Sequence, residues 1–182
     1  DVKILACKVG NFFLSTDAII DSIEFCVAEG VSVANCSFGG MFFSQAEFDA
    51  FAEGGNAGLM FACAAGNYSM NNDITPFYPC SFDLECIVSV AATDRKDNLS
   101  SFTHTGEESV DLGAPGVDIY SSVADSDTSY ELYDGTSMAA PHVAGVLALM
   151  RSIQPKWTNL QIREKLFSAV DYMENYEGML AT

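Results

Sequence analysis

The stretch DGTSMAAPHVAG, residues 134–145, decides how the rest of this chain is read. Ser137 opens a run of small residues, and Val143, Leu147 and Met150 then recur at helical spacing. That spacing predicts a buried helix over residues 136–152. Pro141 fits the first turn, where its missing N–H matters little. A helix start exposes unpaired N–H groups and the positive end of the helix dipole. A serine placed there can attack a carbonyl while nearby amides face the developing oxyanion. Alone, Gly-x-Ser before a helix is most often a simple cap, so the reading turns on what surrounds it.

Working outward, the apolar period switches repeatedly between strand and helix. Residues 2–9 are a short β-rich run. Ser15 or Thr16 can cap a helix with Asp17 in its first turn; Ile19, Ile20, Ile23 and Val27 follow at helical spacing and Gly30 ends it. Residues 31–37 read as a strand stopped by Gly39 and Gly40, and a short helix lies near residues 45–53. Residues 57–64 and 85–92 are two further, mostly apolar strands. Residues 117–123 and 129–133 look like a β-hairpin. Thr158 and Gln161 form a capping box that opens a last helix, with Leu166 and Val170 on its apolar face. Strands alternating with helices predict the α/β class, a parallel sheet flanked by helices. Strands without polar alternation suit a sheet covered on both faces. No linker or internal repeat divides the chain.

Three orders of a serine triad can be tried on these residues. An α/β-hydrolase order puts acid and then histidine after the serine, with glycine where Ala139 stands. Only His142 follows Ser137, on the same helix, so that order fails. The chymotrypsin order can be met on paper by His104 and an aspartate, but that fold is all-β. The remaining order, Asp, His, Ser, belongs to an α/β scaffold.

Residues 135–145 resemble the nucleophile signature of the subtilisin family of serine endopeptidases. Ala64, Ala65, Gly66 and Asn67 are similar to that family's oxyanion segment, and residues 35–40 to one wall of its specificity pocket. Residues 87–93, 114–116 and 157–159, with Arg163, fit the blocks between and after, so the resemblance runs through nearly the whole chain. It implies a subtilisin-like fold and hydrolysis of peptide bonds in protein or peptide substrates. It implies that Ser137 is the nucleophile, with the Asn67 amide and the Ser137 backbone N–H as oxyanion donors. Ser37, Phe38 and Gly39 would pair with the substrate backbone and wall the pocket, opposite Ala64, Ala65 and Gly66. Phe38 and Tyr68 would make that pocket apolar or aromatic. His142 is expected to be structural, buried beside Pro141, and His104 to sit in a polar turn; neither is expected to be the base.

The family's Asp-Ser/Thr-Gly and His-Gly-Thr-His segments do not occur in these 182 residues. Both belong upstream of a strand like residues 2–9. Residues 1–182 are therefore expected to be the C-terminal portion of one subtilisin-like peptidase domain, without its N-terminal strands and helices. The triad Asp and His would lie upstream and the chain would be inactive by itself. A different reading is a non-catalytic relative that binds extended peptides by strand addition; the presence of Ser137 and Asn67, which a binder does not need, argues against it. The resemblance further implies a secreted or secretory-pathway protein, a propeptide in the precursor, and a capacity for calcium. Asp111 is a candidate for a weaker cation site; no metal ligand or other cofactor is assigned.

Composition narrows the partners. Hydrophobic residues make up 49% and charged residues 18%, which excludes a disordered chain. Eight Lys and Arg against 25 Asp and Glu give a net charge of −17, which excludes nucleic acid and anionic lipid as partners. No apolar run approaches the roughly 20 residues needed to span a bilayer. Cys7, Cys26, Cys36 and Cys63 sit in apolar segments and read as buried. Cys80 and Cys86 flank a short polar loop, as either a local disulfide or two free thiols. Of the sequons at Asn35, Asn67 and Asn98, only Asn98 lies in a polar turn suited to a glycan.

Overall fold

The computed structural model describes residues 2–10 and 13–182. Four parallel strands form one sheet in the order β1 (Val33–Cys36), β2 (Met60–Ala64), β3 (Ile87–Thr93) and β4 (Leu112–Pro115). The α-helices among the described residues are α1 (Thr16–Ala28), α2 (Gln45–Asn56), α3 (Thr136–Ile153) and α4 (Asn159–Phe167), followed by a 3-10 turn at Glu174–Tyr176. The expected hairpin is present as antiparallel β5 (Ile119–Ser122) and β6 (Tyr130–Tyr133), with Tyr120 stacked on Tyr130.

The pleat of the sheet sorts its side chains into two cores. Phe61, Cys63 and Ile87 point to one face, against Ile19 and Ile23 of α1 and Ala50 and Phe51 of α2. Met60, Ala62, Ala64, Val88, Val90 and Ala92 point to the other, against Ala139, Ala140, Val143 and Leu147 of α3 and Ile162 and Leu166 of α4. All of β2 and β3 is buried, which explains their mostly apolar sequences. Caps set the helix starts where the sequence places them. Ser15 Oγ accepts from Ala18 N–H, and Ser44 Oγ accepts from Glu47 N–H. Thr158 and Gln161 exchange both bonds of the capping box. Each such cap is worth about 1 kcal/mol.

Three expectations change. Residues 2–9 form no strand: a strand needs a ladder partner, and among the described residues this segment's backbone bonding is Val9 O accepting from Ser15 N–H, with the isolated bridge Gly10–Leu14 just beyond it. Ile4 stands 96% exposed. β4 carries no β signature in Leu-Gly-Ala-Pro; its ladder with β3 makes it a strand. The long helix α3 is buried only on the face toward the sheet, and Val146, Leu149 and Ile153 are exposed.

Leu147 is fully buried between α3 and the sheet. Leu147→Ala should destabilise by about 2–5 kcal/mol, read from the midpoint of denaturant unfolding at unchanged slope.

Candidate active site

The C-terminal ends of parallel strands are where an α/β sheet offers loops and helix starts to a ligand. Here β1 runs into Ser37–Gly39, β2 into Ala65–Asn67, and α3 begins beside both. Gly135 caps α3 with φ 153° and ψ 158°, a backbone that excludes a side chain in practice. That turn leaves Ser137 half-buried at the second position of the helix.

The structure brings Ser37, Asn67 and Ser137 together. Ser37 Oγ donates to Ser137 O at 2.6 Å, and Asn35 Nδ2 donates to Ser37 Oγ at 2.9 Å. Ser137 Oγ donates to Ser37 O at 3.3 Å, long for an O–H···O bond, so the hydroxyl is loosely held. Thr136, fully buried, orients Asn67: its N–H and its hydroxyl both donate to Asn67 Oδ1, at 2.8 and 2.9 Å. The Thr136 hydroxyl in turn accepts from Gly66 N–H at 3.1 Å. With Oδ1 engaged, Asn67 Nδ2 is the end left to face a ligand. A Cβ built on Gly135 would lie 3.5 Å from Asn67 Nδ2 and 3.6 Å from both Ser137 N and Met138 Sδ. Two amide donors and one thioether thus border the same point at the start of α3. Thr136 escaped sequence reasoning because its role is set by residues 69 and 70 positions away.

The wall residues divide. Phe38 is half-buried and Gly39 exposed. Gly39 presses against Phe77, where a Cβ would lie 2.3 Å from the ring, and Gly40 and Tyr78 exchange backbone bonds at 2.7 and 2.8 Å. Ala64 and Ala65 turn their methyl groups into the core. Ala65 N–H donates to Val90 O, and Ala65 O accepts from Asn72 Nδ2. Gly66 is buried, while Asn67 and Tyr68 are exposed, Tyr68 by 70%.

Other placements correct the sequence reading. His142 is exposed, not buried, because it lies on the solvent side of α3, where Nδ1–H donates to Met138 O. His104 is fully buried despite its polar neighbours, because residues 66–72 pack over it. Burial holds its imidazole below the usual histidine pKa and hence neutral at pH 7. Cys80 and Cys86 are free thiols buried in separate environments. Cys80 Sγ donates to Phe77 O and Cys86 Sγ to Phe51 O, and burial pushes them up to about 12 and about 11.

Asp111, the candidate for a weaker cation site, is engaged by protein donors. Its Oδ1 pairs with Arg163 at 2.8 Å and its Oδ2 accepts from Ser89 N–H at 2.7 Å, so both oxygens already face donors. Burial pushes this carboxyl up while Arg163 and Ser89 pull it back. Among the described residues no three His, Cys, Asp or Glu side chains converge, so the calcium implied by the resemblance finds no side-chain cage in them.

With this geometry in place, comparison with known proteins identifies the lineage. The model of the Subtilase family matches residues 1–179, and the chain belongs to that family. It is 37% identical to subtilisin E of Bacillus subtilis over 158 residues, covering 86% of this chain and 40% of that protein. It is also 37% identical to subtilisin-like protease 2 of Plasmodium falciparum over 139 residues, 74% of this chain and 10% of that protein. Among solved structures, a cold adapted subtilisin-like serine proteinase superposes with a TM-score of 0.81 at 32% identity, over 92% of this chain and 60% of that one. The chain thus spans less than half the length of the two relatives named.

The neutral, buried His104 generates a pH dependence. Its folded pKa lies below its unfolded value near 6.5, so the unfolded chain binds the extra proton first as pH falls. The His104 contribution to stability is therefore intact above that value and declines below it. The melting temperature measured from pH 7 to pH 5 should fall less steeply in His104→Asn than in the parent.

Proposed function

We propose that this chain is the C-terminal portion of a subtilisin-type serine endopeptidase domain. Ser137 is its nucleophile, and the sequence preceding the chain supplies the histidine base and the aspartate. The observation that carries this reading is the convergence of Asn67 Nδ2 and Ser137 N–H beside the serine, with Asn67 fixed from behind by Thr136. In the reaction, Ser137 Oγ gives its proton to the imidazole and bonds to the scissile carbonyl carbon. The carbonyl oxygen takes up the displaced electron pair as an oxyanion, received by the two amides. Collapse of that adduct expels the amine, which takes the proton from the imidazole. Water then releases the acyl group by the same steps. Ser37, Phe38, Gly39 and Tyr68 would bind the substrate around this centre, with Ala64, Ala65 and Gly66 shaping the opposite wall. The net charge of −17, with few lysines and arginines, is in keeping with a protein substrate rather than nucleic acid. A secreted location and a propeptide are part of the same proposal.

This chain's two histidines are committed elsewhere, His142 to Met138 O and His104 to Asn72, so peptide hydrolysis by residues 1–182 alone should stay near background. In the full-length protein, Ser137→Ala should abolish turnover of a chromogenic peptide. Asn67→Ala should lower kcat by roughly 10²–10³-fold with KM little changed. That magnitude is taken over from a subtilisin rather than derived from this geometry. A loss confined to KM would move Asn67 to substrate binding.

Met138 Sδ borders the same point as the two donors. An oxygen added to that sulfur makes it bulkier and polar. Mild peroxide should depress kcat of the full-length enzyme and leave Met138→Ala largely resistant. Mass spectrometry should find the added oxygen on Met138, and equal sensitivity of the two proteins would assign the effect to another methionine.

A further inference from the structure

We propose that His104 is a positioning residue of the oxyanion site: it fixes the backbone that carries Asn67, without touching substrate. The inference rests on the roles given above to Ser137 and Asn67.

The segment around His104 runs alongside the segment that carries Asn67. Ser69 N–H donates to Phe102 O, His104 N–H to Gly66 O, Thr105 N–H to Met70 O and Asn72 N–H to Thr105 O, at 2.7–3.0 Å. Within this seam the imidazole lies flat against Gly66. A Cβ at Gly66 would stand 2.5–2.8 Å from ring atoms Nδ1, Cε1 and Cγ, and Gly66 has φ +118°. Only a glycine lets the ring come so close while taking that backbone. Phe77 packs edge-on against the ring at 5.2 Å and Tyr68 flanks it at 5.9 Å, so the imidazole touches both neighbours of Asn67.

The polar atoms show that the ring does more than fill space. Asn72 Nδ2 donates to Ala65 O at 3.0 Å, which sets the amide so that Oδ1 faces His104 Nδ1 at 2.8 Å. Nδ1 must therefore carry the proton and donate. Nε2 is buried and has no hydrogen-bond partner among the described residues. A phenylalanine would fill the same space and avoid that orphaned nitrogen. What a phenylalanine lacks is the Nδ1–H that holds Asn72, and Asn72 holds the Ala65 carbonyl. His104 thus secures residues 65 and 66 from behind, by its own N–H and through Asn72, while Thr136 secures Asn67 from the front. One tether ends on Asn67 itself and the other on the two residues that precede it.

The test uses the full-length enzyme and its Ser137→Ala, His104→Phe, His104→Asn, Asn67→Ala and His104→Phe/Asn67→Ala variants, with kcat and KM measured on one peptide substrate. His104→Phe keeps the ring and loses the donor; it should lower kcat by about 10-fold with KM within about 2-fold. His104→Asn places an amide N–H where Nδ1 stood and should recover most of that loss. In the Asn67→Ala background, His104→Phe should cost less than about 2-fold, because the residue it acts through is already gone. An unchanged kcat in His104→Phe, or the full loss repeated in the Asn67→Ala background, would overturn the inference while the Ser137 mechanism stands. Turnover surviving in Ser137→Ala would overturn that mechanism and this inference with it. If His104→Phe does not fold, Asn72→Ala removes the same hydrogen bond from the other side and is held to the same two criteria.

Discussion

The hydroxyl of Thr136 is the joint on which the site depends. In one buried group it accepts from the Gly66 amide and donates to the Asn67 side chain, tying the first turn of α3 to the exit of β2. Were it a methyl group, Gly66 N–H would lose its partner and Asn67 Oδ1 one of its two, leaving the Thr136 backbone N–H alone to orient the amide. The sheet order makes this joint available. β2 lies at the centre of the sheet, so its exit loop reaches both the Ser37 turn from β1 and the helix that packs across the strands.

Much of this architecture was legible in the sequence because it rests on local signals. Ser15 and Thr158 announce their helices by chemistry that acts within one turn. The apolar runs that became β2 and β3 need only a doubly covered sheet to explain them. The juxtaposition of Ser137 with Asn67 was reached through a resemblance rather than through periodicity, since nothing local links residues 69 and more positions apart.

What escaped the sequence was everything decided by distant partners. His104 stands in a string of Ser, Thr, Gly and Glu that signals a solvated turn, yet Asn72, 32 residues earlier, buries it. Asp111 looked like an unattached carboxylate until the fold brought Arg163 to it across 52 residues. Cys80 and Cys86 are close in sequence, but their thiols bond to different backbone carbonyls. Residues 2–9 have the composition of a strand and no ladder, because pairing belongs to neighbours and not to composition.

The site is closed by contacts between distant parts of the chain. Ser37 and Ser137 are 100 residues apart in the chain, and Gly66 and Thr136 are 70 apart. Parallel strands already require long loops to close before their ladders form, which makes such topologies slow to fold. The first turn of α3 meets its partners only where the exits of β1 and β2 are brought to it. A chain in which these contacts have not closed carries the serine and its own backbone N–H without the Asn67 amide beside them, so the cradle exists only in the assembled fold.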